Sequence, residues 1–422
     1  MLPAHREALI WRLADLIDEH ADELAELESI DNGKTKQMAG IVDVPGARNY
    51  FRYMAGWATK IEGSTIDVSV GGAKGGRINA YTRREPVGVV AQIIPWNFPL
   101  VMAAWKLGPA LAAGCTCILK PAEQTPLTAL RLGDLIIEAG FPPGVVNILT
   151  GYGENAGAAL VTHPGVDKIA FTGSTLVGKA INKAATDTLK RVSLELGGKS
   201  PVIVLPDADI DTVIGGAAGA IFFNAGQVCA AGSRLYVHRK IFDRVVEGVG
   251  GAAQSIKLGP GLDPNTQMGP LVSGEQQDRV MGYIKSGRDE GASVVAGGDT
   301  PSHPGFYVKP TVMADVNRSM RVVQEEIFGP VLVAQRFDDL DEVAALANDT
   351  PYGLSASIWS NDLKAVHRLV PKIKAGTVWV NTHGPVDANM PFGGYKHSGL
   401  GREHGRVGIE MYTELKSVCM LV

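Results

Sequence analysis

Two residues far apart in the sequence have the types and surroundings that nucleophilic catalysis requires. Cys229 lies in the small-residue loop GQVC, residues 226–229, where a thiol can meet a substrate. Glu195 ends an apolar run and lies just before a Gly-Gly pair, in LELGG. A cleft that uses such a strand-end acid desolvates it, which raises its pKa towards that of a general base. The alternatives are an inert packing cysteine and an exposed carboxylate.

A side-chain amide is held rigidly in the segment IIPWNFP, residues 93–99. Asn97 lies between two prolines, and each proline fixes its own φ. Its amide can donate two hydrogen bonds, and rigid donors are what an oxyanion hole requires. Alternatively, Asn97 caps the helix that we expect to begin at Pro99.

A cation and an acid follow the apolar run CTCIL, in LKPAEQTP. Lys120 and Glu123 would lie beyond the carboxyl end of a strand, where a carboxylate can accept hydrogen bonds from a vicinal ribose diol. Glu123 would repel a 2′-phosphate, which favours NAD over NADP. Alternatively, Glu123 only complements the dipole of a helix N-terminus.

Two further segments could contact a dinucleotide. FTGSTLVG, residues 171–178, has the order strand, glycine-rich turn, helix, so backbone amides near Gly173, Ser174 and Gly178 could approach a pyrophosphate. It is not a G-x-G-x-x-G motif. In QEEIFGPV, residues 324–331, one acid could reach the nicotinamide ribose beside Phe328. The alternative for this second segment is a solvated turn.

Composition excludes several classes of protein. Lys and Arg total 40 against 44 acids, for a net charge of −4 in 422 residues, and no basic patch suggests nucleic acid as a partner. Four cysteines are too few for a disulfide framework, and none of the nine histidines forms a metal-binding motif. Cysteine usage fits a reducing cytoplasm. The apolar stretch 87–119 is no membrane span, because it contains Lys106 and three prolines.

The elements that must position these residues alternate between strand and helix. After an amphipathic helical start, apolar β-rich runs and helical patterns alternate from Val87 to Leu196, and a second such series follows. This pattern predicts an α/β fold with two doubly wound domains and a cleft between them. The segment 63–86 has the alternation of an antiparallel hairpin, and 417–422 that of a terminal strand. Both suit subunit pairing.

These patterns divide the chain into three parts. A Rossmann-like cofactor domain is predicted over 1–62 and 86–197, and a catalytic domain over 198–411. The oligomerisation hairpin and terminal strand are predicted over 63–85 and 412–422.

Six segments that contain the residues above, and a seventh near the end of the chain, occur in this order: PWNFP, LKPAEQTP, FTGST, ELGGKSP, GQVCAAGSR, EEIFGPV and PFGGYKHSG. Together they resemble the aldehyde dehydrogenase superfamily. The resemblance implies NAD as cofactor, an aldehyde as substrate, no metal, and a homodimer or homotetramer. Members of the family usually carry a further segment before the helix that begins here near His5. The shorter start could change how the cofactor domain packs and how subunits assemble. All the catalytic and cofactor positions implied by the resemblance are present.

The resemblance also implies roles for individual residues. The catalytic set is the nucleophile Cys229, the general base Glu195, the oxyanion donor Asn97, and the proton-relay pair Lys106 and Glu403. The cofactor set is Ile94, Trp96, Lys120, Glu123, Gly173, Ser174, Gly178, Glu326 and Phe328. The positions that match the family's substrate tunnel are Phe98, Val101, Met102, Trp105, Phe223 and Val386.

The implied reaction oxidises an aldehyde to the carboxylic acid. The thiolate of Cys229 adds to the carbonyl, Asn97 and the Cys229 backbone N–H hold the oxyanion, and a hydride leaves for NAD. Glu195 then activates the water that hydrolyses the thioester. The apolar tunnel suits an aryl, arylacetic or medium alkyl aldehyde, and resemblance to phenylacetaldehyde dehydrogenases favours phenylacetaldehyde. Alternatively, the helical stripe of Phe98, Met102 and Trp105 faces the core.

Two other functions stay open on the sequence alone. A Cys-dependent esterase or acyltransferase could use Cys229 and Glu195 without redox chemistry, but it would have no reason to keep a ribose site at Lys120 and Glu123. A non-catalytic relative could act as a structural or binding protein, but it would not need the nucleophile, the base and Asn97 together.

Overall fold

A computed structural model describes residues 1–72 and 75–422. The tip of the predicted hairpin, Ala73 and Lys74, lies outside the described residues. The helices of the first half are α1 (Pro3–Glu19), α2 (Ala21–Asn32), α3 (Lys36–Met38), α4 (Val44–Ala55), α5 (Pro99–Ala113), α6 (Leu127–Glu138), α7 (Ala158–Thr162) and α8 (Thr175–Ala185). Its strands are β1 (Thr65–Ile66), β2 (Ile78–Pro86), β3 (Val89–Ile93), β4 (Thr116–Lys120), β5 (Val146–Ile148), β6 (Lys168–Thr172) and β7 (Arg191–Glu195).

The second half continues the alternation. Its helices are α9 (Ile210–Phe222), α10 (Phe242–Ser255), α11 (Gly274–Asp289), α12 (Arg321–Gln324), α13 (Leu340–Asn348), α14 (Leu363–Leu369) and α15 (Gly405–Glu410). Its strands are β8 (Pro201–Val204), β9 (Arg234–His238), β10 (Ser293–Ala296), β11 (Thr311–Ala314), β12 (Val331–Phe337), β13 (Ser355–Trp359), β14 (Thr377–Val380), β15 (Gly399–Leu400) and β16 (Thr413–Leu421).

The first sheet has the strand order β15-β7-β6-β3-β4-β5, and its strands are parallel except β15. The chain leaves β3 towards β4 and β5, then returns to place β6 on the other side of β3. The strand order therefore reverses between β3 and β6. At such a switch point, a crevice opens beyond the carboxyl ends of the strands. Doubly wound sheets bind nucleotides in this crevice.

The second sheet has the order β10-β11-β12-β9-β8-β13-β14, and only its edge strand β10 is antiparallel. Helices α9 and α10 pack on it through the apolar face formed by Val213, Ala217, Val245 and Val249. The predicted α/β fold with two doubly wound sheets is confirmed. The domain boundaries stay a prediction; β15, inside the range 198–411, pairs with Glu195 and Leu194 of the first sheet.

The third sheet is antiparallel, with the order β1-β2-β16. The terminal strand pairs with β2 over its whole length, from Thr413 opposite Pro86 to Leu421 opposite Ile78. The predicted small antiparallel sheet is therefore present, and its terminal strand, Thr413–Leu421, lies within the predicted range 412–422 and extends before the alternating segment 417–422.

The amphipathic start of the chain packs under the first sheet. The buried side chains of α1, among them Ile10, Leu13 and Ile17, share a core with α4 and α5. Alanines at successive turns of α5 allow this close packing. Within residues 1–72 and 75–422, no helix is both long and apolar enough to cross a membrane.

Candidate active site

The predicted nucleophile and base are brought together from different sheets. Glu195 is the last residue of β7, and Cys229 follows the turn after α9. The carboxyl of Glu195 and the thiol of Cys229 lie close enough for each to shift the pKa of the other, and Oε1 of Glu195 is buried without a hydrogen-bond partner. Glu195 is only 2% exposed, so the alternative of an exposed strand-end carboxylate is wrong. Cys229 is partly exposed, as a group that meets a substrate must be.

Glycines make this approach of the two sheets possible. A Cβ at Gly198 would lie 2.3 Å from the carbonyl oxygen of Cys229, and a Cβ at Gly197 would lie 2.2 Å from a carboxylate oxygen of Glu326. Neither space can hold a side chain. The Gly-Gly pair after β7 thus lets the cysteine loop and Glu326 pack directly against the strand end that carries Glu195.

Burial and neighbouring acids set the protonation of the pair. Burial raises the pKa of Glu195 to about 8, and the negative charge of Glu403 adds to the effect. Burial raises the pKa of Cys229 well above its usual value, and the charges of Glu195 and Glu326 add to it. At neutral pH the resting pair therefore keeps both protons, and Glu195 is poised to exchange its proton just above that pH.

Asn97 lies beside the cysteine loop. It follows β3, is 4% exposed, and its Nδ2 donates a 2.9 Å hydrogen bond to the carbonyl of Gln227. The residue that caps α5 is Phe98, without a side-chain hydrogen bond, so the alternative of Asn97 as a helix cap is wrong. The amide has a second hydrogen on Nδ2 that this bond does not use.

The cysteine loop owes its shape to a run of left-handed backbone. Asn224, Ala225 and Gly226 have φ of 49°, 53° and 71°. A Cβ at Gly226 would lie 2.1 Å from the carbonyl oxygen of Gly329, so only glycine fits there. For Ala225 the left-handed region is strained. Such strain persists only where the surroundings enforce it, which is typical of functional loops.

The segment around Glu326 reaches the same place. Its Oε1 accepts a 2.9 Å hydrogen bond from the Gly198 N–H, and burial raises its pKa to about 7. Phe328, with φ of 62°, packs edge-on against Trp96 at 5.2 Å between ring centroids. The alternative of a solvated turn is wrong, because the carboxyl of Glu326 is buried and hydrogen-bonded to Gly198 and the ring of Phe328 packs on Trp96.

Lys120 and Glu123 lie at the carboxyl end of β4, next to β3. Lys120 is 2% exposed, and its Nζ donates to the Pro121 carbonyl at 2.9 Å and to Glu123 at 3.2 Å. Glu123 itself is about one-third exposed. A buried ammonium next to an accessible carboxylate, at the edge of the switch-point crevice, fits a ribose with two hydroxyls.

The glycine-rich turn after β6 lies at the other side of the switch point. Ser174 caps α8, with its Oγ accepting from the Val177 N–H at 3.3 Å. The Gly178 N–H donates to the Ser174 carbonyl, so it is not available to a phosphate. The expected role of Gly178 is corrected accordingly: a Cβ there would lie 2.4 Å from Leu196, so this glycine serves close packing of α8.

Lys106 and Glu403 form an ion pair between α5 and the segment before α15. Lys106 is fully buried, and its backbone carbonyl accepts a 2.7 Å hydrogen bond from Gln92. Glu403 is close enough to Glu195 to raise its pKa. A chain of titratable groups therefore leads from Glu195 into the protein.

Comparison with known proteins decides the family. The model of the aldehyde dehydrogenase family matches residues 1–418. The chain belongs to the aldehyde dehydrogenase family. It is 54% identical to the phenylacetaldehyde dehydrogenase of Pseudomonas fluorescens over 99% of this chain and 84% of that protein. It is 49% identical to the human mitochondrial aldehyde dehydrogenase, over 99% of this chain and 80% of that protein.

Solved aldehyde dehydrogenase structures agree. The NAD⁺ complex of the Bacillus cereus aldehyde dehydrogenase superposes with a TM-score of 0.98 at 52% identity, covering 100% of this chain and 85% of that one. This chain is an NAD-dependent oxidoreductase that acts on aldehydes. The alternatives of a hydrolase without redox chemistry and of a non-catalytic relative are set aside.

The tunnel positions of this aldehyde dehydrogenase fall into three groups. Phe98 and Phe223 stack at 5.9 Å, and Trp105 packs on Phe392 at 5.7 Å in a cluster that also contacts Cys229. Val386 is 39% exposed. The remaining two, Val101 and Met102, are buried in the core of the first sheet.

Sequence reasoning missed the residues that hold Asn97, the predicted oxyanion donor. Asn224 Nδ2 donates to the Asn97 carbonyl at 3.0 Å, and Asn32 Nδ2 donates to the Trp96 carbonyl at 2.7 Å. Gln227 accepts from Asn97 and, through its own side chain, binds the Val272 N–H. The Asn-Ala-Gly run before GQVC was the one signal of a tight turn there.

Proposed function

We propose that the chain oxidises an aryl or arylacetic aldehyde, such as phenylacetaldehyde, through a thioester on Cys229. The observation that carries this proposal is the convergence of the Cys229 loop on the buried, unpartnered carboxyl of Glu195 and on the fixed amide of Asn97. A nucleophile, a base and an oxyanion donor within one site are the groups that acyl chemistry on a cysteine requires.

Formation of the nucleophile depends on the proximity of Cys229 and Glu195. A thiol is a poor nucleophile, and its thiolate is disfavoured here by burial. As the sulfur attacks the carbonyl carbon, its proton can pass to Glu195 in the molecules where that carboxyl is ionised, a minority at neutral pH that grows as the pH approaches the Glu195 pKa of about 8. The negative charge then moves from sulfur to the substrate oxygen, away from the two acids.

The oxyanion is stabilised by donors that are already in place. The second Nδ2 hydrogen of Asn97 and the backbone N–H of Cys229 are the proposed pair. Asn97 needs no reorganisation during the reaction, because its side chain and its carbonyl are both held by hydrogen bonds. Removing one such donor typically costs about 10²–10³-fold in kcat.

The residues that would hold NAD fit a dinucleotide at the switch point. NAD, when bound, accepts the hydride from the substrate carbon. Lys120 and Glu123 would bind the adenine ribose, the N-terminus of α8 with Gly173 and Ser174 the pyrophosphate, and Glu326 the nicotinamide ribose. Ile94, Trp96 and Phe328 would form the apolar walls. The Gly198 N–H orients Glu326, and the edge-on contact of Trp96 with Phe328 fixes those walls.

Hydrolysis of the thioester completes the cycle. Once Glu195 has released the proton taken from Cys229, its carboxylate takes a proton from water, which attacks the thioester carbon. The carbon–sulfur bond then breaks, Cys229 leaves as the thiolate and recovers a proton from Glu195, and the carboxylic acid is released. Lys106 and Glu403 are the proposed route by which the proton of Glu195 leaves the site, since both lie behind it and are paired. Glu195 is then ready for the next turnover.

The substrate class follows from the aromatic lining near Cys229. Phe98, Phe223 and Trp105 offer stacking surfaces, and Trp105 is fixed edge-on against His404 at 4.1 Å. Val386 would lie at the entrance, and Val101 and Met102 behind the aromatic residues. The relative named phenylacetaldehyde dehydrogenase, at 54% identity, supports an arylacetic substrate.

A panel of aldehydes with NAD tests the substrate class. NADH formation should show the highest kcat/KM for phenylacetaldehyde and benzaldehyde-type substrates, lower values for short alkyl aldehydes, and the lowest for charged ones. A preference for short or charged aldehydes would overturn the assignment of the aromatic lining.

We also propose a homodimer or homotetramer. The exposed strand β16 forms the edge of the antiparallel sheet, where another subunit can add. Sedimentation velocity should give two or four copies, and a monomer at micromolar concentration would contradict the proposal.

A further inference from the structure

A buried ammonium lies against one of the aromatic rings proposed to line the substrate path. The Nζ of Lys34 is 4.3 Å from the centroid of the Phe98 ring, over its face. Phe98 is half-buried and stacks on Phe223, which precedes the cysteine loop. The proposed chemistry makes no use of Lys34, whose side chain is only 1% exposed. Burying a charge is costly, so this ammonium must have compensating partners.

Two acids compensate the charge of Lys34. Its Nζ donates to Asp43 at 2.6 Å and to Glu28 at 3.3 Å, and both acidic side chains are fully buried. Glu28 also accepts from the Thr128 hydroxyl at 2.9 Å. Burial raises the pKa of Glu28 to about 8, so near neutral pH this carboxyl is mostly protonated and Asp43 balances the ammonium. An ammonium has three N–H groups, and the face of the Phe98 ring is within reach of the one that the acids do not use.

Two irregular turns of the backbone bring these groups together. Gly33 ends α2 with φ of 90°, and a Cβ there would lie 3.0 Å from Pro270, so glycine is favoured at the turn that leads into Lys34. Asp43 is the last residue of a π-helical turn, Ala39–Asp43, that separates α3 from α4. Such turns are rare and often lie at functional sites. The local backbone therefore serves the placement of Lys34 and its partner.

The cation changes what the Phe98 ring offers to a substrate. The face of an aromatic ring carries partial negative charge, and a cation over one face attracts that charge. The opposite face then becomes less negative, so it attracts an electron-rich ring more strongly. A saturated group in the same place gains nothing from this polarisation. The cation also restrains the ring, because Lys34 is itself held by Asp43 and Glu28.

We propose that Lys34 is a specificity-determining residue for aryl substrates: its buried ammonium, held by Asp43, fixes and polarises the Phe98 ring so that this ring stacks on the aromatic group of the aldehyde. The inference rests on the proposed function, in which Phe98 lines the path of an aryl aldehyde to Cys229. Lys34 acts through Phe98 and is therefore a positioning residue.

The test compares phenylacetaldehyde with cyclohexylacetaldehyde, which has the same carbon skeleton and a saturated ring. With saturating NAD, the wild-type kcat/KM should favour phenylacetaldehyde. Lys34→Met, which keeps the length of the side chain and removes the charge, should lower that preference about threefold through KM, with kcat little changed. Lys36→Met is the matched control and should keep the wild-type preference, because Lys36 bridges Asp22 and Glu26 at the surface.

A double-mutant cycle separates an effect through Phe98 from a general disturbance of the fold. Phe98→Leu removes the ring, so adding Lys34→Met to it should leave the substrate preference as it is in Phe98→Leu alone. A further fall of similar size in the double variant would overturn the proposal. An unchanged preference in folded Lys34→Met would overturn it as well.

Two further measurements cover the case in which Lys34→Met does not fold. That variant leaves Asp43 buried without its partner, so Lys34→Met combined with Asp43→Asn removes both charges and should show the same loss of preference. In the wild type, 4-methyl- and 4-chlorophenylacetaldehyde have substituents of similar size and opposite electronic effect. KM should be lower for the electron-rich 4-methyl compound, and equal or reversed values would overturn the proposal without any Lys34 variant.

Failure of the proposed function gives a different result. Wild-type protein without a preference for phenylacetaldehyde over cyclohexylacetaldehyde would remove the aryl substrate class, and the role of Lys34 with it. A wild-type preference that Lys34→Met retains in full would remove only the role of Lys34.

Discussion

The two ends of the proposed cofactor crevice are held in different ways. At the end near Cys229, the side chains of Asn97 and Glu195 are almost fully buried, and the backbone is fixed by side-chain hydrogen bonds from residues distant in sequence. At the other end, Glu123 is about one-third exposed and Ser174 caps a helix in the ordinary way. The difference indicates that the end near Cys229 holds reacting groups in fixed positions, whereas the end near Glu123 binds and selects the cofactor.

That comparison predicts that substitutions near Cys229 act on kcat, whereas substitutions near Glu123 act on cofactor choice.

The largest effect is expected for Cys229→Ala, which removes the atom that forms the thioester. NADH formation with any aldehyde should fall to the background rate. Cys419→Ala, which removes an exposed cysteine of β16, is the matched control and should retain activity. Substantial turnover by Cys229→Ala would contradict the conclusion that the buried end of the crevice carries out the chemistry.

Asn97→Ala is expected to have the next largest effect. It removes a donor whose position is fixed before the substrate arrives, so kcat should fall about 10²–10³-fold with a smaller change in KM. Steady-state kinetics with saturating NAD measure both constants. Asn182→Ala, on the exposed face of α8, serves as control. A rise in KM with kcat unchanged would show that Asn97 binds substrate without stabilising the oxyanion.

The pH dependence of thioester hydrolysis sharpens the account of Glu195. The carboxyl is protonated below its raised pKa of about 8 and cannot then accept a proton from water. Hydrolysis should therefore speed up as pH rises, about tenfold per pH unit below that value, and level off above it. Single-turnover decay of a preformed thioester across a pH series measures this step. A flat profile, or one that persists in Glu195→Gln, would remove Glu195 from the role of base.

The smallest effect is expected at the exposed end. Glu123→Ala should leave kcat with NAD nearly unchanged and raise the NADP-to-NAD ratio of kcat/KM about tenfold, because a charge that repels the 2′-phosphate is lost. Glu138→Ala, at the exposed end of α6, is the control. An unchanged ratio would mean that Glu123 does not face the ribose.

Much of the fold was predictable because local patterns specify it. Buried parallel strands are continuous apolar runs, such as PVIVL at β8, and the predicted site residues lie at or just beyond strand ends, such as Glu195 at the end of β7. The order of strands within each sheet, and hence the switch point between β3 and β6, depends on packing between distant elements. No local pattern in the sequence encodes that order.

The parts of the site that escaped prediction are those set by tertiary contacts. Ala225 has no local preference for a left-handed backbone, and adopts it because Gly226 must pack on the carbonyl of Gly329. Lys34 lies in a turn without a catalytic motif, and its contact with Phe98 exists only in three dimensions. The amide of Gly178 was expected at a phosphate, and the helix uses it instead.

The most direct test of the thioester on Cys229 uses Glu195→Gln, which keeps the size of the side chain and removes the base. Mixed with NAD and phenylacetaldehyde, this variant should form about one NADH per active site, more slowly than the wild type because Glu195 also accepts the thiol proton, and then stall. Intact mass of the stalled protein should increase by one acyl group, and peptide mapping should place that group on Cys229. Steady turnover at the wild-type rate, or an acyl group on a different residue, would contradict the account.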